Sequence, residues 1–419
     1  MGDTVKKTVT DNGDGTETVV TKKVTAVTPV TNSLQLLYHG WPSVCTAEEN
    51  GTTYVFAVAS GNRYRHVDPF GETWLYRGTV NQNGTVTWGD RIIINKNENY
   101  RDNRDAGITY LGNGQLVLTY FQQAIGIYKS TTNSSYYQWK ESLTEEQVAH
   151  IYATWDAIPQ EKQNAISFVR YSNDFGASWS EPQEVPVSTP HGVSLLANGD
   201  LLYVGRRSPA SNTAADGIYA YKGVIARNGE GDITSIAWSL LSKLEYPEGY
   251  GYDGENGYSV LKFGEPHAVE LANGRILCLT RAEGTGDETY VLPERFSMTS
   301  CYSDDGGKTW SQWKPLGFAG SPPHLMELAK DVVLLTYARR DTVKGVFYRI
   351  SYDGGLTWSE ETALSPASAS GDMGYPMTAL ISRDGYTYQL VTVYYGYNTV
   401  TRVNSILYTT WTLSPVSNE

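Results

Sequence analysis

Four of the six histidines in this chain, His39, His191, His267 and His324, stand at or just before the start of a β-rich hairpin. Arginines recur where such hairpins end: Arg206 and Arg207, Arg281, and Arg339 and Arg340. A single arginine at a strand end is ordinarily a solvated surface residue. Recurrence at equivalent places in three consecutive hairpins points elsewhere, because guanidinium groups gathered in a pocket suit bidentate recognition of a carboxylate. Clustered histidines can bind a metal, but nothing in their spacing demands one, and neither metal nor cofactor is expected. Cys45, Cys278 and Cys301 are odd in number, widely spaced and without a CxxC pair, so they read as buried free thiols. The formal net charge of −12 argues against a nucleic-acid partner. An acidic ligand would need a local arginine cluster set against that background.

These residues must be positioned by a repeated element. Two β-rich runs around a tight turn recur six times, beginning at Trp41, Arg104, Pro190, Glu265, Pro322 and Gly374. Each is followed by a further strand. Three of those strands carry the same eight residues, Ser-x-Asp-x-Gly-x-Ser/Thr-Trp, at Ser172–Trp179, Ser303–Trp310 and Ser351–Trp358. Worn versions end in Trp88 and Trp238. Asp and Ser hydrogen-bond nearby backbone in a turn, Gly takes a positive φ, and Trp packs the turn down. With 31 Tyr, 11 Trp and 41 Gly, the composition is that of strands and turns. The pattern predicts an all-β chain, a six-bladed β-propeller of four-stranded blades over residues 33–412.

Two segments fall outside the repeat. Residues 122–167 are too long for a blade loop. Ser142-Leu-Thr-Glu145 reads as a capping box before a helical run, hence a helical insertion that either overhangs one face as a lid or simply packs. Residues 1–32 form an N-terminal extension. Within it a DNGDGTE turn between two strand-like runs reads as a β-hairpin rather than a calcium loop, and residues 1–31 would serve as a protein-docking element. Residues 413–419 are a tail. No apolar run approaches the ~18–20 residues of a membrane span. The start lacks the apolar stretch of a signal peptide, which leaves a trimmed signal open.

The repeated eight residues are those of the Asp-box, or bacterial neuraminidase, repeat, and the six-blade layout resembles the sialidase superfamily. The resemblance implies an exo-acting glycoside hydrolase on an acidic sugar, sialic-acid-like or uronic. It implies Tyr375 as nucleophile, Glu265 as the base acting on it, and Asp68 as acid/base. A tyrosine nucleophile is a known exception to the two-carboxylate scheme, and a neutral nucleophile avoids repulsion by an anionic substrate. It implies Arg281 and Arg340, or Lys344 in place of Arg340, as carboxylate clamps. The family's first clamp arginine is absent: YHGWPSV puts His39 or Trp41 in that neighbourhood. Further substrate contacts are expected from Arg207, Arg104, Asp105 and Tyr395, and from His191, His267 and His324. The HGWP, EPH and PPH entrances also resemble propellers acting on other acidic or deoxy sugars, lyases included, in which His or Tyr would abstract a proton beside a carboxylate. The competing expectation is a non-catalytic glycan-binding or assembly module on a virion or cell surface. An extracellular, cell-surface or periplasmic location is expected, with a virion as the alternative.

Overall fold

The computed structural model describes residues 5–11, 17–23, 28–29, 38–130, 138–207, 217–250, 252–253, 257–258, 261–399 and 402–414. The chain is all-β and forms propeller-like blades with little helix. Four antiparallel sheets of four strands each are separate. Their first strands are Asn103–Gly112, Ser194–Leu195, Leu261–Glu270 and His324–Ala329. The remaining blade strands form one nine-stranded sheet, so the expected six separate blades become four blades and a larger sheet. The merger has a local cause. The last strand, Val403–Leu413, pairs in parallel with Tyr38–Glu49 at Asn404 and Tyr38, fusing the final hairpin unit to the first. Thr28–Pro29, which falls within the expected extension, also pairs with that last strand. Val5–Asp11 and Glu17–Lys23 make a separate two-stranded antiparallel hairpin, whose DNGDGTE turn lies largely outside the described residues.

The second strand of each unit reads as a nearly continuous apolar run because both its faces are buried. Alternate side chains serve different neighbours. Leu116 and Leu118 pack against Phe56 and Val58 of the preceding unit, while Val117 packs with Leu201 and Tyr203 of the next. Ile276 and Cys278 pack back onto Leu202 and Val204, and Leu277 and Leu279 forward onto Val333 and Leu335. Leu334 meets Leu390; Val391 and Val393 meet Val44 and Val55 of the first unit. Apolar clusters thus link each unit to the next and the last to the first.

The repeated turns fasten these interfaces. In Ser351–Trp358, Ser351 Oγ donates to Asp353 Oδ1 (2.7 Å) and accepts from Gly355 N (2.7 Å). Asp353 Oδ1 accepts from Thr357 N (2.9 Å), and Oδ2 accepts from Thr357 Oγ1 (2.6 Å). The turns at Ser172 and Ser303 repeat these bonds. Gly355 is required: its φ is +91°, and a Cβ there would lie 2.4 Å from Leu277 Cδ2. Trp179, Trp310 and Trp358 each pack into the cluster shared with the preceding unit, as do Trp88 and Trp238 of the worn copies. The tryptophan therefore plugs the gap between blades, not merely its own sheet.

The insertion holds helices Ile125–Lys129 and Glu145–Asp156. The capping box of the second is Thr144 with Gln147, two residues beyond the expected Ser142–Glu145 pair, because Ser142 closes a preceding 3-10 turn. The insertion buries Tyr128, Trp139, Ile151 and Trp155 around Val67. Among the described residues no helix is long and apolar enough to cross a membrane.

Ser351 is fully buried, and Ser351→Ala strands the Gly355 N–H without an acceptor. The expected cost is ~1–3 kcal/mol in urea denaturation. An unchanged midpoint would remove the turn's fastening role.

Candidate active site

Three blade entrances share a Gly-X-Pro triplet: Gly40-Trp41-Pro42, Gly264-Glu265-Pro266 and Gly374-Tyr375-Pro376. At each, strand pairing skips the X and Pro residues, running from Gly40 to Ser43, Gly264 to His267 and Gly374 to Met377. Arg104–Gly107 makes the same skip past Asp105 and Ala106. Proline suits the position because it has no N–H to give to the ladder. The skipped residue is left in the left-handed region: φ is +52° at Trp41, +48° at Asp105, +55° at Glu265 and +52° at Tyr375. Such a conformation is uncommon for these residue types and costs on the order of 1–3 kcal/mol each. Repetition of one bulge thus presents an aromatic, two carboxyls and a phenol at the ends of four innermost strands.

Tyr375 Oη donates a short hydrogen bond to Glu265 Oε1. Arg281 Nη1 donates to Glu265 Oε2 (3.0 Å) and Nη2 to Glu283 Oε2 (2.8 Å). Arg340 lies 5.4 Å from the Tyr375 ring centre and donates through Nε to the Met373 carbonyl (2.7 Å). Gly374 makes room for it, since a Cβ there would stand 2.8 Å from Arg340 Nη2. Burial alone would raise Glu265, but Arg281, the Tyr375 hydroxyl and Arg340 outweigh it and hold the carboxyl below its usual value. Burial pushes the Tyr375 phenol well above its usual value, and Glu265 and Asp105 add to that. Asp105 goes the opposite way from Glu265: burial, against the pull of Arg104 and with the help of Glu265, lifts it to about 7. Its Oδ1 is buried without a hydrogen-bond partner among the described residues. A carboxyl that stays ionised beside one that is half neutral is the usual arrangement of an acid–base site.

Tyr375, Glu265, Arg281, Arg104, Asp105 and His66 line a cavity of about 890 Å³, with Arg206 and Arg207 also on its wall. That size suits a small polar ligand. Of the residues expected from the sequence, Tyr375, Glu265, Arg281, Arg104, Asp105 and Arg207 therefore converge. Arg340 and Tyr395 back the wall, Tyr395 with its ring 5.9 Å from that of Tyr375. Lys344 begins its strand paired with Arg340.

The other candidates lie elsewhere. Asp68 does not line the cavity. Its Oδ2 accepts from Tyr64 N (2.7 Å) and Arg65 N (2.8 Å), and its Oδ1 from Phe70 N (2.9 Å), so the carboxylate is consumed holding its own loop. Trp41 is only 1% exposed, covered by the guanidinium groups of Arg104 at 4.1 Å and Arg63 at 4.9 Å. His39 is fully buried against Trp74. His191, His267 and His324 come together, with ring centres 4.6–5.5 Å apart, but as a buried cluster rather than a ligand surface. Leu325 N donates to His267 Nδ1 (3.0 Å) and Thr378 N to His324 Nδ1 (3.4 Å). Among the described residues no group of His, Cys, Asp or Glu is arranged to hold a metal ion.

Four neighbours of the site went unread in the sequence: Arg63, Asp102, His66 and Asp372. Arg63 Nη1 pairs with Asp102 Oδ1, and Tyr128 of the insertion donates to Asp102 Oδ2. Arg104 Nη1 lies 3.7 Å from the same Oδ2. The insertion thus braces the two arginines that cover Trp41. Arg63 ends the first unit's second strand, as Arg207 and Arg340 end theirs, so the recurrence that singled those out covered it as well. His66 and Asp372 sit in irregular loops with no repeat to mark them.

No protein-family model matches the chain, and no curated protein matches it. Solved structures do. The chain is similar to a protein of unknown function from Dyadobacter fermentans, at 18% identity, 93% of this chain and 98% of that chain covered, and TM-score 0.64. It is similar to a Hadza microbial sialidase, at 14% identity, 95% and 72% coverage, and TM-score 0.55. It is also similar to the NanB sialidase of Streptococcus pneumoniae, at 11% identity, 93% and 70% coverage, and TM-score 0.57. The fold is sialidase-like.

Burial lowers His191 to about 3, and burial together with neighbouring histidines lowers His267 and His324 well below the ordinary value. A histidine whose folded value is depressed takes up its proton mainly on unfolding. Its stabilising neutral form is therefore fully favoured above ~6.5 and increasingly opposed as the pH falls. Each of the three adds a slope of up to ~1.4 kcal/mol per pH unit below that point. Urea denaturation between pH 7.5 and 4.5 should show stability falling with acid, less steeply in His324→Gln. A profile of equal steepness in the variant would contradict this account.

Proposed function

We propose that the chain is a sialidase-like glycoside hydrolase acting on an acidic glycan, with Tyr375 as nucleophile. The blades are taken as six, counting the nine-stranded sheet as two, and the repeated turns as Asp-boxes. The observation that carries the reading is the carboxylate of Glu265, which accepts the Tyr375 hydroxyl on one oxygen and Arg281 on the other.

The chemistry follows from that arrangement. With the phenol raised and the carboxyl lowered, proton transfer from Tyr375 to Glu265 is uphill on its own. Ionisation must accompany bond formation, when the developing positive charge at the anomeric carbon stabilises the phenolate. A neutral hydroxyl also meets an anionic sugar without repulsion. Arg281 and Arg340 flank the reacting pair and supply positive charge for a substrate carboxylate. Asp68, consumed by its own loop, drops out of the acid/base role expected for it. Asp105, half neutral near pH 7, donates a hydrogen bond to the sugar without adding a full negative charge beside its carboxylate.

The test is turnover of 4-methylumbelliferyl and natural acidic-sugar glycosides, sialosides first. Tyr375→Phe and Glu265→Gln should each lower kcat/KM by at least ~10². Binding without turnover in the wild type would instead favour a glycan-binding module.

A further inference from the structure

We propose that His66, held by Asp372, is the acid–base group that exchanges a proton with the leaving group; this rests on the hydrolase reading above. Asp372 is a gathering point. Its Oδ1 accepts from Tyr38 Oη (2.8 Å) and Tyr395 Oη (3.0 Å), and its Oδ2 from Asn404 Nδ2 (2.9 Å). His66 Nδ1 lies 3.0 Å from the same Oδ1 and 2.6 Å from Tyr38 Oη. Tyr38 has one O–H and gives it to Asp372. In that arrangement the Asp372 carboxylate, which can only accept, takes the Nδ1 proton of His66, and Nε2 is the exchanging nitrogen. A carboxylate behind an imidazole fixes both its tautomer and its orientation.

Position favours His66 over the two aspartates. Asp68 is taken by three backbone amides. Asp105 is coupled by charge to both Tyr375 and Glu265, which ties it to that pair. A leaving group departs away from the nucleophile. His66 lines the same cavity, and its side chain is 46% exposed, as an aglycone at the cavity mouth requires. The groups facing it are Asp372, Tyr38, Arg63, whose Nη2 donates to the His66 carbonyl (2.8 Å), and Arg104, with the Trp41 ring edge-on at 5.1 Å. Partial desolvation and the two arginines outweigh Asp372 and lower His66 from its ordinary value, so the protonated form belongs to mildly acidic solution.

The steps balance. Tyr375 Oη bonds to the anomeric carbon and passes its proton to Glu265, while the glycosidic bond breaks and the departing oxygen takes the proton of the His66 imidazolium. Water then attacks the anomeric carbon and gives a proton to Nε2. The bond to Tyr375 breaks, and the phenolate recovers its proton from Glu265.

Leaving-group dependence tests this in the full-length protein, with sialyllactose and 4-methylumbelliferyl sialoside compared under the same conditions. Umbelliferone is acidic enough to leave with little help; lactose is not. His66→Asn should lower kcat/KM on sialyllactose by ~10²–10⁴ and on the umbelliferyl substrate far less. It should also remove the alkaline fall in rate on sialyllactose, and added imidazole should partly rescue His66→Gly. Asp372→Asn should give the same split, while Asp105→Asn, which keeps a donor, should affect both substrates alike. Nitrogen-15 spectra of the wild type should show neutral His66 as the Nδ1–H tautomer. Equal losses on both substrates, the split appearing in Asp105→Asn instead, or an Nε2–H tautomer would overturn the assignment. A wild type inert to both substrates removes the hydrolase reading and this proposal together. A wild type silenced by Tyr375→Phe but indifferent to His66→Asn removes this proposal alone.

Discussion

Four skipped positions in four innermost strands are the constraint on which this site depends. A residue in the left-handed region is poorly placed for either helix or ladder, and it stays there only if the structure on both sides over-determines it. Here the sides are supplied by neighbouring units. Trp41 and Tyr375 belong to one apolar cluster that joins the first and last units. Glu265 is held from blade to blade, by a phenol on one side and an arginine of its own hairpin on the other. The Tyr375–Glu265 pair is thus a contact between strands 110 residues apart in sequence. Its geometry is set by the ring rather than by any local turn.

Much of that ring was legible in the sequence, for reasons that lie in particular residues. The Ser-x-Asp-x-Gly-x-Ser/Thr-Trp turns are readable because every position acts locally. Ser351, Asp353, Gly355 and Trp358 bond or pack within reach of one another. Arg281 is readable from the recurrence of arginine where hairpins end, and Glu265 and Tyr375 through the family resemblance that the repeated turns carry. The merging of the first and last units was not readable, since it rests on the pairing of Asn404 with Tyr38, which no local pattern announces. The capping box slipped by two residues for a related reason. Ser142 and Thr144 both fit the first position, and only the preceding 3-10 turn decides between them.

The misread residues share one physical feature. Histidine, tryptophan and aspartate at a blade entrance look alike in sequence whether they face the cavity or the core. His191, His267 and His324 turn inward and share a neutral, dry cluster. Trp41 lies under two guanidinium groups. Asp68 spends both oxygens on backbone amides. In each case burial decides the role, and burial is a property of the assembled ring. His66 and Asp372 escaped notice for another reason: they sit in irregular loops 306 residues apart, and meet only when the last unit closes on the first.

The last strand, Val403–Leu413, holds Thr28–Pro29 and Tyr38 from the opposite end of the chain. A nascent chain leaving the ribosome therefore cannot join its first unit to its last until this strand is made. Tyr375 and Glu265 are both synthesised before that strand is. Closure of the ring comes after both, and a product interrupted before this strand would lack the join between its first and last units.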